Sequence, residues 1–434
     1  MSTVSAPAPK PRLASLDQFR GYTVAGMFLV NFLSGFVAAP FVCHHHNTYC
    51  SYADTIMPQF FFAVGFAMRL SFGRRVMQQG VGAAYWHMVK RLFGLALVAI
   101  FITYQAQPPW PKETEHNWET LQQIGWWHAV WPNAIKNTWF QTLMHIAVTS
   151  LWILPVIRLS AIWRIFYLIL SGLLHFGLSA VFNFEWVNGI HPFEPGGIDG
   201  GMLGFLSWSI PTLVGTLACD IALNEAYGGG GKLARLFFWG AVLMALGWLA
   251  SCVTRMYDIP QHSVTQHAFR FSKTPVIPSQ QQQETWWNHL KQKDWSKVLA
   301  EPPLVPPPHS REQVPDEKEL QDRSYEVREW NYWMMSQRSG SISYLTFGAG
   351  LSLVIYGLFF LLSDMVGLKI GVFRTLGVNA LLGYILHDSV GDAVKRFAPK
   401  DSPPMVMWIA FGVFFFVTWL FLRALEKQKI YVKL

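Results

Sequence analysis

Of the 434 residues, 52% are hydrophobic and only 14% are charged, and the mean hydropathy is +0.24; a soluble domain is typically about a quarter charged. This balance excludes an ordinary water-soluble globular chain, because so much apolar surface must face something other than water. A net charge of +8 and a pI near 9.2 can signal nucleic acid, but no basic patch interleaved with base-stacking aromatics is present, so no nucleic-acid partner is expected.

Taken in chain order, residues 1–12 predict a polar cytoplasmic tail. No apolar h-region of a cleavable signal is found there, so the first apolar segment is expected to act as the insertion signal. Nearly charge-free stretches of the ~20 residues needed to cross a hydrocarbon core then recur. They predict about ten spans, near 21–39, 55–72, 86–105, 138–157, 162–182, 203–223, 233–253, 341–363, 375–395 and 404–423. The expected fold is therefore all-α: a polytopic transmembrane bundle with spans 1–7 in 13–253 and spans 8–10 in 341–434. Arg20, Arg69, Arg74, Arg75, Lys90, Arg91, Arg158, Arg164 and the basic segment Arg423–Lys433 fall on one side of these spans. The short loops of the other side hold only Lys112, Lys136, Lys395, Arg396 and Lys400. By the positive-inside rule, both termini are expected to be cytoplasmic.

Two stretches depart from this span-and-turn pattern. Residues 106–137 hold Trp110, Trp118, Trp126, Trp127 and Trp131, which suits either the lipid interface or sugar stacking. Residues 254–340 carry Gln280–Gln283, the proline-rich Glu301–Pro308 and many charges, and predict a large extracytoplasmic insertion. An amphipathic helix is expected over Arg311–Trp333. Substrate lid, docking site for a protein partner and simple decoration all remain open for this insertion.

Polar groups inside spans are costly and are functional candidates by default. The conspicuous ones are Asn31, His145, His175, Asn379, His387 and Asp388, together with the loop Cys43-His44-His45-His46 and Asp54 at the start of the second span. Histidine near neutral pH can take a proton from an incoming amine or hydroxyl, or act as an acyl-carrying nucleophile. Three adjacent histidines beside two cysteines can also bind a metal, but adjacent residues rarely share one ion and no partner spacing is visible, so no metal is expected. Cys43 and Cys50 flank the loop and suggest a disulfide, whereas Cys219 and Cys252 read as packing residues.

Three stretches resemble one family. Arg12-Leu13-Ala14-Ser15-Leu16-Asp17-Gln18-Phe19-Arg20-Gly21 is similar to the R-x-x-S-x-D-x-F-R-G opening of the membrane core of heparan-α-glucosaminide N-acetyltransferases and their bacterial relatives. Ala53-Asp54-Thr55-Ile56-Met57-Pro58-Gln59-Phe60-Phe61-Phe62-Ala63-Val64-Gly65 resembles their A-D-x-x-x-P-x-F-x-F-x-x-G, and counting back without a gap places the family's active-site histidine on His44. Asn379-Ala380-Leu381-Leu382-Gly383-Tyr384-Ile385-Leu386-His387-Asp388 resembles N-S-[IL]-x-x-Y-x-x-H-[DE]. The chain departs where the family has an arginine opening the fourth span, which is Thr142 here. It also has Glu194-Pro195-Gly196-Gly197 for D-P-E-G, and 254–340 has no counterpart.

The resemblance implies acetyl transfer from cytoplasmic acetyl-CoA to an amine or hydroxyl of an extracytoplasmic amino sugar or other glycan, in a bacterial inner membrane. His44 would be base or acyl carrier, Asp54 its orienter, and Asn31 a donor to the developing oxyanion. Asn379, His387 and Asp388 would be catalytic or structural support. Arg20, Arg74, Arg75, Lys90 and Arg91 would receive the anionic nucleotide part of the donor, against the plainer reading that they only set topology. A proton-coupled transporter and a non-catalytic envelope-assembly subunit are the alternatives. Membrane lipid is expected around the bundle, and a homo-oligomer is compatible with it.

Overall fold

The computed structural model describes residues 13–45, 50–106, 117–124, 140–183, 187, 199–252, 280–294, 332–333 and 335–431. The expectations for the tail 1–12, for His46, for the Glu194–Gly197 stretch and for most of 106–137 and 254–331 lie outside the described residues.

Every regular element among the described residues is helical. In chain order they are α1 (Ala14–Leu33), α2 (Tyr52–Gln79), α3 (Val81–Ala106), α4 (Trp118–Ile124), α5 (Thr142–Ile153), α6 (Ala161–Leu178), α7 (Gly204–Leu223), α8 (Gly229–Cys252), α9 (Gln280–Lys291), α10 (Ile342–Phe359), α11 (Gly371–Val378), α12 (Ala380–Lys395) and α13 (Pro404–Lys427). Seven are long and apolar enough to cross a membrane: α2, α3, α6 with its π turn, α7 with its leading 3-10 turn, α8, α10 with its π turn, and α13. The apolar helix at Thr142–Val156 is shorter.

Burial sorts these helices into a centre and a rim. In α7 and α2, 78% and 61% of the apolar window is buried, against 17% in α3 and α8; the first two are therefore the interior and the others present apolar sides outward. The outward face of α6 is apolar too, with Ile162, Trp163, Phe166, Ile169 and Leu173 exposed, as a hydrocarbon surround requires. At the α2–α7 crossing the backbones nearly touch. A Cβ on Gly65 would lie 1.8 Å from the Thr212 carbonyl oxygen, and one on Gly215 would lie 2.1 Å from that of Phe62. Small residues at such crossings let apolar helices gain contact where no hydrophobic drive separates them from lipid.

Two expected spans differ in their bounds. The first begins at Ala14 instead of near residue 21, because Asp364, from the π turn after α10, caps the N-terminus of α1. Its Oδ1 accepts from the Ala14 and Ser15 amides at 3.1 and 3.3 Å, and the Ser15 hydroxyl donates to Oδ2. The ninth is two helices, interrupted at Asn379 (φ −115°, ψ 40°). There the Asn379 amide turns away from the helix and donates to the Ile430 carbonyl at 3.2 Å.

A half-buried ionic knot ties α2, α6 and α7 together. Arg164 is fully buried and donates to Asp220 and, at 2.8 Å, to Thr216. Arg69 Nε donates to Asp220 Oδ1 at 2.9 Å, and its Nη1 donates to the Ile157 carbonyl. Two guanidiniums thus share one carboxylate, an arrangement that needs these extra oxygen acceptors to offset desolvation.

Candidate functional site

The N-terminus of α2 organises the site. Ser51 and Asp54 form a capping box: Asp54 Oδ2 accepts from the Ser51 amide at 2.9 Å, and the Ser51 hydroxyl accepts from the Asp54 amide at 3.4 Å. The hydroxyl donates to the His44 carbonyl at 2.8 Å, which folds the preceding loop back over the helix end. One carboxylate oxygen of Asp54 is therefore committed to the cap, and the helix terminus favours its charge. The other, Oδ1, accepts from His45 Nδ1 at 2.9 Å. The expected histidine–aspartate pair exists, but its histidine is His45, while His44 contributes its carbonyl.

His45 keeps 48% of its side-chain surface accessible, whereas Asp54 is fully buried. Burial alone would push the imidazole pKa down. The hydrogen bond and charge of Asp54, with Asp199 and Gln337 beyond it, outweigh this and hold it above the ordinary histidine value. A ring that is accessible yet surrounded by these groups lies in a recess, not on a convex surface.

Gln337 and Asp199 were not evident from the sequence. Gln337 Nε2 donates to Asp199 Oδ1 at 2.9 Å. Asp199 is only 2% exposed. Burial pushes its carboxyl up to about 6, partly offset by the Gln337 hydrogen bond and the His45 charge. The remaining wall comes from Met57, whose sulfur lies 3.6 Å from Gln337 Nε2 and 3.8 Å from Thr142 Oγ1. The Tyr384 phenol lies beside Thr142, and the Tyr344 hydroxyl donates to the Asp54 carbonyl at 2.6 Å. Thr142 thus borders this recess. The one sequence trace of Asp199 is an acid before Gly200-Gly201 at the start of an apolar helix.

A second polar group lies between the end of α1 and the middle of α12. Asn31 Nδ2 donates to His387 Nε2 at 2.9 Å, His387 Nδ1 donates to the Tyr384 carbonyl, and Phe28 stacks on the ring at 6.1 Å between centroids. Asp388 Oδ1 is 3.2 Å from the same Nε2, but its side chain is 71% exposed. Tyr384 spans the two groups, its carbonyl accepting from His387 and its phenol lying beside Thr142. Asn379 joins neither: its bond to Ile430 places it at the far end of α12.

The expected cations divide as well. Arg20 and Arg75 lie within electrostatic reach of Arg91, and Arg75, Lys90 and Arg91 surround His87. Lys90 rests over Trp86 at 5.7 Å. No carboxylate pairs with Arg75 or Arg91 among the described residues, so a cluster of cations is left that suits a polyanion. Arg74 stands apart, facing Cys219 and the ionic knot.

The disulfide expected between Cys43 and Cys50 is not formed; both are free thiols. The reason is packing: Cys43 is buried in the apolar cluster of α1 and α13, while Cys50 packs against the cluster of α2 and α7. Burial pushes both thiols above the ordinary value. Among the described residues no group of three metal-ligating side chains occurs. No protein-family model matches the chain, and no curated protein matches it.

Proposed function

We propose that the chain is a multi-pass membrane acyltransferase that moves an acetyl group from cytoplasmic acetyl-CoA to an amine or hydroxyl of an extracytoplasmic sugar. On this reading it crosses a bacterial inner membrane about ten times with both termini cytoplasmic; the shorter helices α1, α5 and the α11–α12 pair complete the seven long ones. The observation that carries the reading is the accessible imidazole of His45 hydrogen-bonded to a buried, helix-capping carboxylate. This is the base-and-orienter arrangement that proton abstraction requires.

Acetyl-CoA supplies the acyl group as a thioester. Arg20, Arg75, Lys90 and Arg91 hold its anionic part at the inner face. His45, oriented through Nδ1 by Asp54, takes the acceptor's proton at Nε2. Asn31, held by His387, has a second amide N–H to offer a developing oxyanion.

The test is transfer of labelled acetate from acetyl-CoA to glucosamine in membrane vesicles. His45→Ala is expected to lower it by roughly 10²-fold or more, and His44→Ala by much less. Unchanged transfer in His45→Ala would sink the assignment of His45; absence of any acetyl-CoA-dependent transfer by the wild type would sink the function.

The transporter reading has one observation in its favour, the helix interruption at Asn379, since broken helices line the substrate paths of many carriers. It predicts flux of an acceptor-like solute into vesicles without acetyl-CoA.

A further inference from the structure

One acceptor in the recess has more bonding capacity than the protein uses. The Gln337 carbonyl oxygen is buried and has no hydrogen-bond partner among the described residues, although the amide lies beside the His45 ring. The other end of the same amide is committed, its Nε2 donating to Asp199 Oδ1 at 2.9 Å. A buried acceptor without a donor is costly, by about 1–3 kcal/mol, so its presence calls for an explanation.

The backbone that places them is also held against its preferences. Asp199 sits at φ 61°, followed by Gly200 at 86° and Gly201 at 64°. A non-glycine residue in the left-handed region costs of order 1 kcal/mol and persists where surrounding contacts impose it. Here the Trp208 indole donates to the Asp199 carbonyl at 2.7 Å, Asn183 donates to the Gly200 carbonyl at 3.0 Å, and the Gly200 amide donates to the Arg338 carbonyl at 2.8 Å. The opposing turn is equally tight: a Cβ on Gly340, itself at φ 59°, would lie 2.9 Å from the Gly200 Cα. Five interlocking features thus serve to bring one carboxylate and one amide to His45.

We propose that Asp199 and Gln337 are positioning residues for His45, forming a second arm opposite Asp54 that holds the ring in the state it reaches after taking a proton. The inference rests on the acyl-transfer reading. In that reaction the acceptor's N–H or O–H bond breaks and its proton goes to His45 Nε2. The new bond forms at the acyl carbon, the C–S bond breaks, and the thiolate takes the proton back from His45. Between these events the ring is an imidazolium, donating through Nδ1 to Asp54. Protonated Nε2 gives the Gln337 oxygen the donor it lacks, and Asp199 polarises the amide from its other side. The groups facing His45 and Asp199 are Asp54 from α2, Gln337 from the turn before α10, Tyr344 from α10 and Tyr384 from α12.

The arm has a further implication for the long segment between α8 and α10. Its end supplies Gln337, so at least this part is more than decoration.

The experiment uses the full chain in lipid nanodiscs and two readouts. The first is the rate of diethyl pyrocarbonate modification of His45 against pH, with His45 resolved from His44 and His46 by fragmentation of the labelled peptide. The second is acetyl transfer from acetyl-CoA to glucosamine against pH. Asp199→Asn and Gln337→Ala are each expected to lower the His45 protonation constant roughly threefold or more, with Asp199→Glu restoring part of it. The acid-side limb of the transfer profile, where the base becomes protonated, should move to lower pH with it. An unchanged His45 midpoint in both Asp199→Asn and Gln337→Ala, in protein that elutes as wild type, overturns the proposal. A shifted midpoint in protein whose wild type transfers no acetyl group supports the coupling and removes the acyl-transfer reading instead.

Discussion

The recess around His45 and the knot around Asp220 are both half-buried clusters of charge, yet they are built on opposite plans. In the knot, two guanidiniums converge on one carboxylate, and the donors left over find Thr216 and the Ile157 carbonyl; of the Arg164 nitrogens only Nε has no partner. In the recess, two carboxylates and an amide oxygen surround one accessible imidazole, and the amide oxygen is left without a donor among the described residues. The first plan pairs its charges within the protein and fixes how three helices pack. The second is complete only when a proton or a ligand arrives, which is what a reaction site requires.

The comparison breaks if the two clusters respond alike to loss of a carboxylate. Asp54→Asn is expected to lower acetyl transfer by roughly 10²-fold or more, since the ring loses its orienter. Asp220→Asn should leave transfer per folded molecule near wild type. That same Asp220→Asn change leaves the fully buried Arg164 uncompensated, and should destabilise the protein by about 3 kcal/mol, read as a lowered unfolding temperature in detergent.

Asp199 sharpens the contrast through pH. Its folded value is raised to about 6 from 3.8, so in this window the unfolded chain binds fewer protons than the folded one and stability falls as pH rises. Asp199→Asn should therefore raise the unfolding temperature above pH 6, by an amount worth up to about 3 kcal/mol, and make little difference near pH 4. The smallest expected effect belongs to the His45–Asp54 pair. The His45 value is raised from 6.5, so its stabilising share is complete below that pH and disappears as pH rises through the folded value. With the ring half exposed, the difference between pH 5.5 and 8.5 should stay below about 1 kcal/mol, measured as the pH dependence of unfolding in wild type against His45→Gln.

What was legible in the sequence follows from range. Apolar helices announce themselves by composition within ~20 residues, and the capping box of α2 spans only Ser51 to Asp54. The start of α1 was misplaced because its cap, Asp364, lies 349 residues away from Ser15. Asp199 and Gln337 are 138 residues apart, and neither has a local pattern that marks it. The exchange of His44 for His45 has a different cause: adjacent loop histidines differ in direction, and only the Ser51 bond to the His44 carbonyl decides which ring reaches Asp54. Likewise the Arg74 side chain turns to the opposite side of α2 from Arg75, a distinction of one helical step.

The Tyr332 hydroxyl bonds His175 Nδ1 at 2.8 Å, and its ring is wholly buried between α6 and the turn that follows it toward α10. In mechanical terms this is a cleat. It ties residue 332 to α6 five residues before Gln337, and α10 begins five residues after it, so the turn that carries the amide is anchored on both sides.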